Sequence, residues 1–323
     1  MTKYSKHFAV ALVATSALVA CSDEEVKNET TEATDTTENA AFPKTVVDGR
    51  GVEVVIEEQP ARIVSTALAV DEYLVDLVDD ERIVGVTSIA TDPSISNVAD
   101  KVDGIEAKFE TVTAEQIIAL EPDLVIVPSY VNPEVLSQVE SADIDVYQVI
   151  DDSSFDGIAN TVTSLGELLG EEDKAAEVVE NYESRIAAIE EKAATVEEPA
   201  RVLYYTEYLS SVTNNTTIGE MIDLAGGVNV VDEAGIVGDD YPDYPNVSKE
   251  LVVDVNPEII FTTAWVEGGG EPTFVTEWKN DPALANVEAI KNDAIYVLDS
   301  ANVTTASHYV VEGAEDMLDI LAK

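Results

Sequence analysis

The side chains of this chain that could contact a small molecule are aromatic residues placed just beyond apolar runs. Tyr130 lies three residues past the apolar run 124–127, and Trp265 lies three residues past the run 259–262. Aromatic faces suit large, partly apolar ligands, and a phenol or indole group adds a hydrogen bond at the edge of the ring. The chemistry that these residues predict is the binding of a ligand in a cleft.

Other residues near the ends of predicted strands are candidates for the same cleft. They are Tyr205, Tyr208, Tyr241, Tyr244 and His308. Core packing is the alternative for each aromatic residue. Tyr130 and Trp265 are favoured because a sequence repeat places them equivalently. The glycines 268–270 would allow a mobile lip beside Trp265.

Catalysis and a bare metal site are both disfavoured. The sequence has no Gly-x-Ser-x-Gly elbow and no phosphate-binding loop, and His308 is the one histidine beyond the first twenty residues. Cys21 is the only cysteine, so a zinc or manganese site has few ligands to use. An enzyme on a similar scaffold therefore ranks below a binding protein, and no protein-bound metal is expected.

An internal repeat predicts where the aromatic residues lie. Segment 112–127 recurs as segment 247–262, and each copy begins with a helix-capping hydroxyl, Thr113 or Ser248. A short apolar-periodic helix, a stop before proline and an almost wholly apolar strand follow in both copies. Such strands belong to sheets covered by helices on both faces. The repeat therefore predicts two similar lobes with a ligand held between their strand ends.

The remaining pattern predicts an α/β fold in which two lobes of parallel-rich sheet flanked by helices are joined by one long rigid helix. A hairpin turning at Asp48-Gly49 precedes alternating strands and helices. A helix over 171–195 would span roughly 35 Å and act as a strut, although an ordinary packing helix is the alternative. The expected regions are an N-terminal lobe at 42–154, a helical region at 155–198, a C-terminal lobe at 199–300 and a terminal helix at 301–323.

The first residues predict export and a lipid anchor. Residues 1–20 carry lysines followed by a short apolar stretch, which is typical of a signal peptide. Leu18-Val19-Ala20-Cys21 resembles a bacterial lipobox, in which Cys21 would be lipidated; a plain secretory signal is the alternative. Residues 21–41 are polar and acidic, and they predict a disordered tether. We therefore expect an extracytoplasmic protein anchored to the bacterial cell membrane by lipid.

The net charge excludes one class of partner. There are 65 acidic and 17 basic residues, for a formal charge of −48. A nucleic-acid phosphate backbone requires a basic footprint, so nucleic-acid binding is excluded. The acidic surface is typical of a protein that works in high salt, while attraction of a cationic ligand is the alternative reading.

Several short segments together carry a resemblance to a known family. In chain order they are Ala61-Arg62-Ile63-Val64-Ser65, Val70-Asp71-Glu72-Tyr73-Leu74, Glu81-Arg82-Ile83-Val84-Gly85-Val86, Ala119-Leu120-Glu121-Pro122-Asp123-Leu124-Val125-Ile126, Ala225-Gly226-Gly227-Val228-Asn229 and Val287-Glu288-Ala289-Ile290-Lys291-Asn292. This ordered set resembles the substrate-binding proteins of ABC importers for ferric siderophores and vitamin B12. The resemblance implies two lobes joined by a rigid helix, with the ligand between them.

The resemblance also implies partners and contact residues. Family members dock on a permease, which works with an ATPase, through one glutamate on each lobe. The matching positions here are Glu134 and Glu250, and Glu115 is the alternative on the first lobe. Tyr244 falls where the B12-binding relatives place a pocket tryptophan. A monomer is expected, and a surface sensor without a permease is the competing function.

The scarcity of arginine narrows the ligand. The five arginines are Arg50, Arg62, Arg82, Arg185 and Arg201, whereas relatives that bind triply anionic ferric chelates usually offer several near the ligand. A strongly acidic protein also repels such anions. Ferric hydroxamates are favoured, with cobalamin as the alternative. Haem ranks lower, although His308 with a nearby tyrosine could ligate its iron. Iron would enter only as part of the bound siderophore, without a separate cofactor.

Overall fold

The computed structural model describes residues 42–150, 153–206, 208, 210–264 and 272–323. The expected signal peptide, the lipidation site Cys21 and the tether therefore lie outside the described residues. Trp265 and the glycines beside it do so as well. Within the described part of the chain, no helix combines the length and apolarity that a membrane crossing requires.

The first half of the chain forms a hairpin and a five-stranded sheet. The antiparallel hairpin pairs β1 with β2, and the sheet has the order β5-β4-β3-β6-β7 with every neighbouring pair parallel. The strands are β1 Lys44–Val47, β2 Glu53–Ile56, β3 Ile63–Ser65, β4 Ile83–Thr87, β5 Ala107–Phe109, β6 Leu124–Val127 and β7 Asp145–Gln148. We call this sheet and its helices the N-terminal lobe.

The second half forms a four-stranded parallel sheet with the order β11-β10-β8-β9. Its strands are β8 Arg201–Tyr204, β9 Val228–Asn229, β10 Ile259–Thr263 and β11 Ile295–Leu298. We call this sheet and its helices the C-terminal lobe. The two parallel sheets confirm the α/β class predicted from the strand–helix alternation.

Helices cover both sheets. They are α1 Leu68–Leu77, α2 Ala114–Ala119, α3 Pro133–Glu140, α4 Phe155–Leu169, α5 Glu172–Ala193, α6 Thr217–Leu224, α7 Val230–Glu233, α8 Lys249–Val255, α9 Thr273–Lys279, α10 Glu288–Lys291, α11 Ser300–Thr304 and α12 Val310–Leu321. Helix α4 begins after the capping hydroxyl of Ser154 and ends at Gly170, whose φ of 72° suits glycine. Helices α4 and α5 connect the last strand of the first sheet to the first strand of the second.

The hydrophobic core is arranged in three clusters. The largest runs through the N-terminal lobe, the connecting helices and one face of the second sheet, and it includes Tyr182 and Ile189 of α5. The two smaller clusters lie on the remaining faces of the two sheets. Both faces of each sheet are therefore buried, which explains why their strands lack polar alternation.

The internal repeat is visible in the hydrogen bonds that begin each lobe. The backbone N–H of Arg62 donates to the Asp123 carboxylate, and that of Arg201 donates to Glu258. The guanidinium of Arg62 donates to the Glu121 carbonyl, and that of Arg201 to the Asn256 carbonyl. The acids after Pro122 and Pro257 thus fix the start of an inner strand in both lobes.

Candidate ligand-binding site

A cavity of about 320 Å³ lies between the carboxyl ends of the strands of the two lobes. It is lined by Leu68, Ile89, Ile95, Tyr204, Thr206, Tyr208, Thr263, Ser300 and Thr304. These residues follow or end β3, β4, β8, β10 and β11. Crevices beyond the carboxyl ends of parallel strands are the usual ligand sites of α/β folds. We call this space the interlobe cavity.

The two walls of the interlobe cavity differ in chemistry. The N-terminal lobe contributes the aliphatic side chains of Leu68, Ile89 and Ile95. Each residue from the C-terminal lobe carries a hydroxyl group: Tyr204, Thr206, Tyr208, Thr263, Ser300 and Thr304. Among these described lining residues no side chain is charged. The cavity therefore suits a ligand with extensive apolar surface that does not require a counter-charge.

Most of the wall hydroxyls are bonded within the protein. The Tyr204 phenol lies 2.9 Å from Thr263 Oγ1, and Thr206 Oγ1 lies 2.8 Å from Ser210 Oγ. Ser300 Oγ donates to the Ala264 carbonyl at 3.1 Å, and Thr304 donates to the Ser300 carbonyl at 2.7 Å. These hydrogen bonds hold the side-chain rotamers of the wall, and each hydroxyl pair still keeps one hydrogen atom that it can donate to a ligand.

A larger cavity lies elsewhere, beside helix α5. It measures about 660 Å³, and its lining includes the carboxylates of Asp156, Glu190, Glu220 and Asp223. It lies away from the strand ends, among helices that connect the lobes. Position therefore distinguishes it from the interlobe cavity, which lies at the strand ends where α/β folds usually bind ligands.

Of the aromatic residues predicted for the cleft, Tyr208 lines the interlobe cavity. Tyr130, Tyr241 and Tyr244 are exposed but are not among the lining residues. Tyr130 follows β6 at the same edge of the first sheet. The loop with Tyr241 and Tyr244 pairs with the segment just after Tyr208, since the Ser211 N–H donates to the Pro245 carbonyl. Trp265 lies outside the described residues.

The expectation for Tyr205 is corrected by the structure. Its side chain is only 1 % exposed, and its ring lies 4.2 Å from that of Trp278 and 5.1 Å from that of Phe274, between ring centroids. Successive side chains of a strand point to opposite faces, and here Tyr204 faces the cavity while Tyr205 packs into the core. Because both faces of β8 are buried, the sequence alone does not indicate that Tyr204, rather than Tyr205, faces the cavity.

Six further lining residues are of types that do not by themselves indicate a ligand site. Leu68, Ile89 and Ile95 are ordinary aliphatic residues, and Thr263, Ser300 and Thr304 are ordinary hydroxyl residues. Their one common signal is position, since each follows or ends a strand that the sequence predicts. A search of strand ends without regard to residue type would have found them.

The expectation for His308 is also corrected. Its Nε2 lies 3.0 Å from Asp76 Oδ2, and its ring stacks on Tyr73 with centroids 5.9 Å apart. Burial would raise the pKa of Asp76, but hydrogen bonds from His308, Lys101 and Tyr309 outweigh it and hold that pKa well below its usual range. His308 lines a separate cavity beside α5, so it does not present a ligand for haem iron to the interlobe cavity.

The predicted docking residues are exposed at helix starts. Glu134 lies in the first turn of α3, after the capping side chain of Asn132. Glu250 lies in the first turn of α8, where its own backbone N–H and the Ser248 hydroxyl hold its pKa below the usual range. Glu115 occupies the equivalent position on α2. Helices that precede or follow strands of a parallel sheet in this way begin at the carboxyl edge, so all three carboxylates lie on the side of the cavity.

No cluster of three or more histidine, cysteine, aspartate or glutamate side chains that could hold a metal ion occurs among the residues that the structure describes. Two of the arginines form ion pairs with carboxylates of the protein itself. Arg50 bonds Asp48 and Glu140, and Arg82 bonds Glu171.

The fold and the interlobe cavity define a two-lobed solute-binding protein. A family model for periplasmic binding protein matches residues 63–301, and the chain belongs to this family. The family consists of solute-binding components of transport systems. The resemblance to the siderophore- and vitamin B12-binding proteins of ABC importers is thereby confirmed.

Known proteins similar to this chain support the assignment. An uncharacterized ABC transporter substrate-binding lipoprotein, YvrC of Bacillus subtilis, is 26 % identical over 287 residues, which cover 86 % of this chain and 85 % of that protein. A cobalamin-binding protein of Halobacterium salinarum is 27 % identical over 223 residues, or 69 % of this chain and 59 % of that protein. The crystal structure of a possible iron-binding (periplasmic solute-binding) protein from Staphylococcus epidermidis shares the fold. Its TM-score is 0.69 at 23 % identity, with 82 % of this chain and all of that chain covered.

Proposed function

We propose that this protein captures an uncharged or cationic metal chelate, a ferric hydroxamate siderophore first, and delivers it to the permease of an ABC importer. The observation that carries the proposal is the uncharged lining of the interlobe cavity. A triply anionic ferric catecholate would enter this space without a cationic partner and against a formal protein charge of −48. A ferric hydroxamate has no such penalty.

In this proposal the ligand is held between the two walls, with its apolar surface against Leu68, Ile89 and Ile95. The protein performs no chemistry on the ligand, and iron enters only as part of the chelate. The loaded protein, a monomer, then docks on a permease and its ATPase through Glu134 and Glu250. Lipidation of Cys21 keeps it at the outer side of the cell membrane.

Cobalamin is the second candidate cargo. The observation that favours it is the similarity to the cobalamin-binding protein of Halobacterium salinarum. An uncharged lining also suits a corrinoid, which is large and carries its polar amides at the periphery. Both cargoes require the same cavity and the same docking partner.

The experiment is a calorimetric titration of the chain carrying Cys21→Ser, with an uncharged ferric trihydroxamate, a triply anionic ferric tricatecholate and cobalamin as separate ligands. We expect saturable one-site binding of the trihydroxamate, at least about tenfold tighter than the tricatecholate. Tighter binding of cobalamin than of the trihydroxamate would identify cobalamin as the cargo. Tightest binding of the tricatecholate, or binding of none of the three, would contradict the proposal.

A further inference from the structure

A buried carboxylate joins the two lobes directly behind the interlobe cavity. Glu72 lies on α1 of the N-terminal lobe and is fully buried. Its Oε1 accepts from the backbone N–H and from Nδ2 of Asn97, each at 3.0 Å. Its Oε2 accepts from the hydroxyls of Thr305 and Ser307, the latter at 2.5 Å. Thr305 and Ser307 belong to the C-terminal lobe, in the link between α11 and α12.

Two more hydrogen bonds cross between the same elements. Asn97 Nδ2 also donates to the Ala301 carbonyl at 2.8 Å, and the Tyr73 phenol donates to the Ala306 carbonyl at 2.8 Å. We call the side chains of Glu72, Asn97, Thr305 and Ser307 the interlobe latch. Among the described residues, the donors that reach the Glu72 oxygens are amides and hydroxyls.

The interlobe latch is one residue away from the cavity wall on one side and one helical turn away on the other. Thr304 lines the cavity and Thr305 bonds Glu72. Leu68 lines the opposite wall and begins the helix that carries Glu72. Only a few covalent bonds separate the latch from each wall. The hydrogen bonds of Glu72 therefore set how far apart the two walls lie.

Moving the hydroxyls of Thr305 and Ser307 away from Glu72 would raise the free energy of the protein. A buried carboxylate that loses its donors is left without compensation for its lost hydration. Opening of the lobes at this point would take Thr305 and Ser307 away from Glu72. The carboxylate thus opposes separation of the walls more strongly than packing of α1 alone would.

We propose that Glu72 is a positioning residue for ligand binding, which fixes the separation of the cavity walls without touching the ligand. It holds the α11 segment, with Ser300 and Thr304, at a set distance from Leu68. Ligand affinity then depends on a side chain outside the site. The latch itself does not depend on which chelate is bound.

The test uses the distance between the lobes. Cys21→Ser leaves a chain without cysteine, so Glu134→Cys and Glu250→Cys can carry two spin labels at exposed sites, one on each lobe. We expect Glu72→Gln to broaden the distance distribution measured by pulsed electron resonance without ligand. The amide loses the charge that strengthens these hydrogen bonds, and if its oxygen stays toward Asn97, the Thr305 and Ser307 hydroxyls must reverse and accept from its nitrogen. In the unlabelled protein, the dissociation constant of the bound chelate should rise about tenfold.

Asp71→Asn is the matched control. Asp71 is adjacent on α1 and equally buried, and the substitution has the same chemistry, but its hydroxyl and amide donors come from Thr87 within the N-terminal lobe. It should leave the distance distribution unchanged. Thr305→Val with Ser307→Ala removes the donors from the other lobe and should reproduce the broadening, whether or not Glu72→Gln folds.

An unchanged distribution in that double variant, or equal broadening in Asp71→Asn, would overturn the proposal. Since the distances are measured without ligand, this outcome is separate from the identity of the cargo. If the distance distributions of the variants are as expected but no chelate binds, the result would count against the proposed cargo alone.

Discussion

The phenolic oxygen of Tyr204 lies 2.9 Å from Oγ1 of Thr263, so the ends of β8 and β10 are joined at the wall of the interlobe cavity. Burial raises the pKa of Tyr204, which keeps the phenol protonated. A bond between two hydroxyls uses one hydrogen atom and leaves the other to donate elsewhere. The pair can therefore give one hydrogen bond to an oxygen of a ligand in the cavity.

Tyr204→Phe should weaken ligand binding by about three- to tenfold, the usual contribution of one neutral hydrogen bond. The ring remains, so packing and fold should persist. Tyr205→Phe is the matched control, because it removes the same atom from the neighbouring tyrosine in the core. Calorimetric titration of both variants measures the difference. Equal affinities for the two variants would contradict the assignment of Tyr204 to the cavity.

Glu134→Gln combined with Glu250→Gln should lower uptake by about tenfold or more while leaving ligand affinity unchanged. The physical reason is that docking through these exposed carboxylates would depend on charge at the permease surface. Uptake of labelled chelate by cells and titration of the purified chain are the two measurements. Glu177→Gln with Asp223→Asn removes two exposed charges from other helices, α5 and α6, and should not change uptake. Normal uptake in the first variant would refute the docking assignment.

Asp71 should make stability depend on pH in the acid range. Burial raises the pKa of its carboxyl from 3.8 to about 7, so between these values the folded chain holds a proton that the unfolded chain releases. The contribution of Asp71 is therefore fully present below about pH 4 and is lost as the pH rises to about 7, by about 1.4 kcal/mol per pH unit.

Asp71→Asn removes this dependence. Urea unfolding of both proteins at several pH values between 4 and 8 measures it, and the stability of the natural chain relative to the variant should fall across this range. Parallel stability curves, or a relative gain with rising pH, would show that Asp71 titrates normally.

Replacing Glu121 by glycine should increase the stability of the protein. It follows helix α2 with a φ of 48°, a conformation that costs most residues about 1 kcal/mol and glycine little. Glu121→Gly is therefore expected to raise the free energy of unfolding by up to about 1 kcal/mol. Glu177→Gly, in the second turn of α5, should lower the free energy of unfolding by about the same amount. Urea unfolding gives both signs, and a loss in Glu121→Gly would show that its side chain contributes more than its backbone costs.

Much of the fold follows from local pattern. Ser154 and Gly170 mark the two ends of α4 in the sequence, and the repeat places α2–β6 and α8–β10 as equivalent units. The hairpin is also predicted by turn residues, but the sequence predicts the turn at Asp48-Gly49, whereas the loop spans residues 48–52 and Gly51 is the glycine with positive φ, 76°. These features depend on interactions within a few residues, so one sequence is sufficient to predict them.

The cavity depends on relationships between distant segments, and sequence reasoning captured less of it. The sequence predicts Tyr205 for the cleft and gives no signal for Tyr204, because periodicity does not show which buried face of β8 turns toward the other lobe. The chemistry of its imidazole makes His308 a candidate ligand, yet a contact with Asp76, 232 residues away in sequence, holds it outside the cavity. The Glu72 contacts with Thr305 and Ser307 span more than 230 residues, and no local pattern predicts them.

The most direct test of the account is whether the interlobe cavity holds the ligand. The measurement is the affinity of the best chelate for Tyr208→Ala, compared with Val237→Ala, which truncates a similarly exposed side chain outside the cavity lining. If the cavity holds the ligand, Tyr208→Ala raises the dissociation constant by about tenfold or more, and Val237→Ala changes it less than about twofold. Equal effects of the two substitutions, or no effect of Tyr208→Ala, would contradict it.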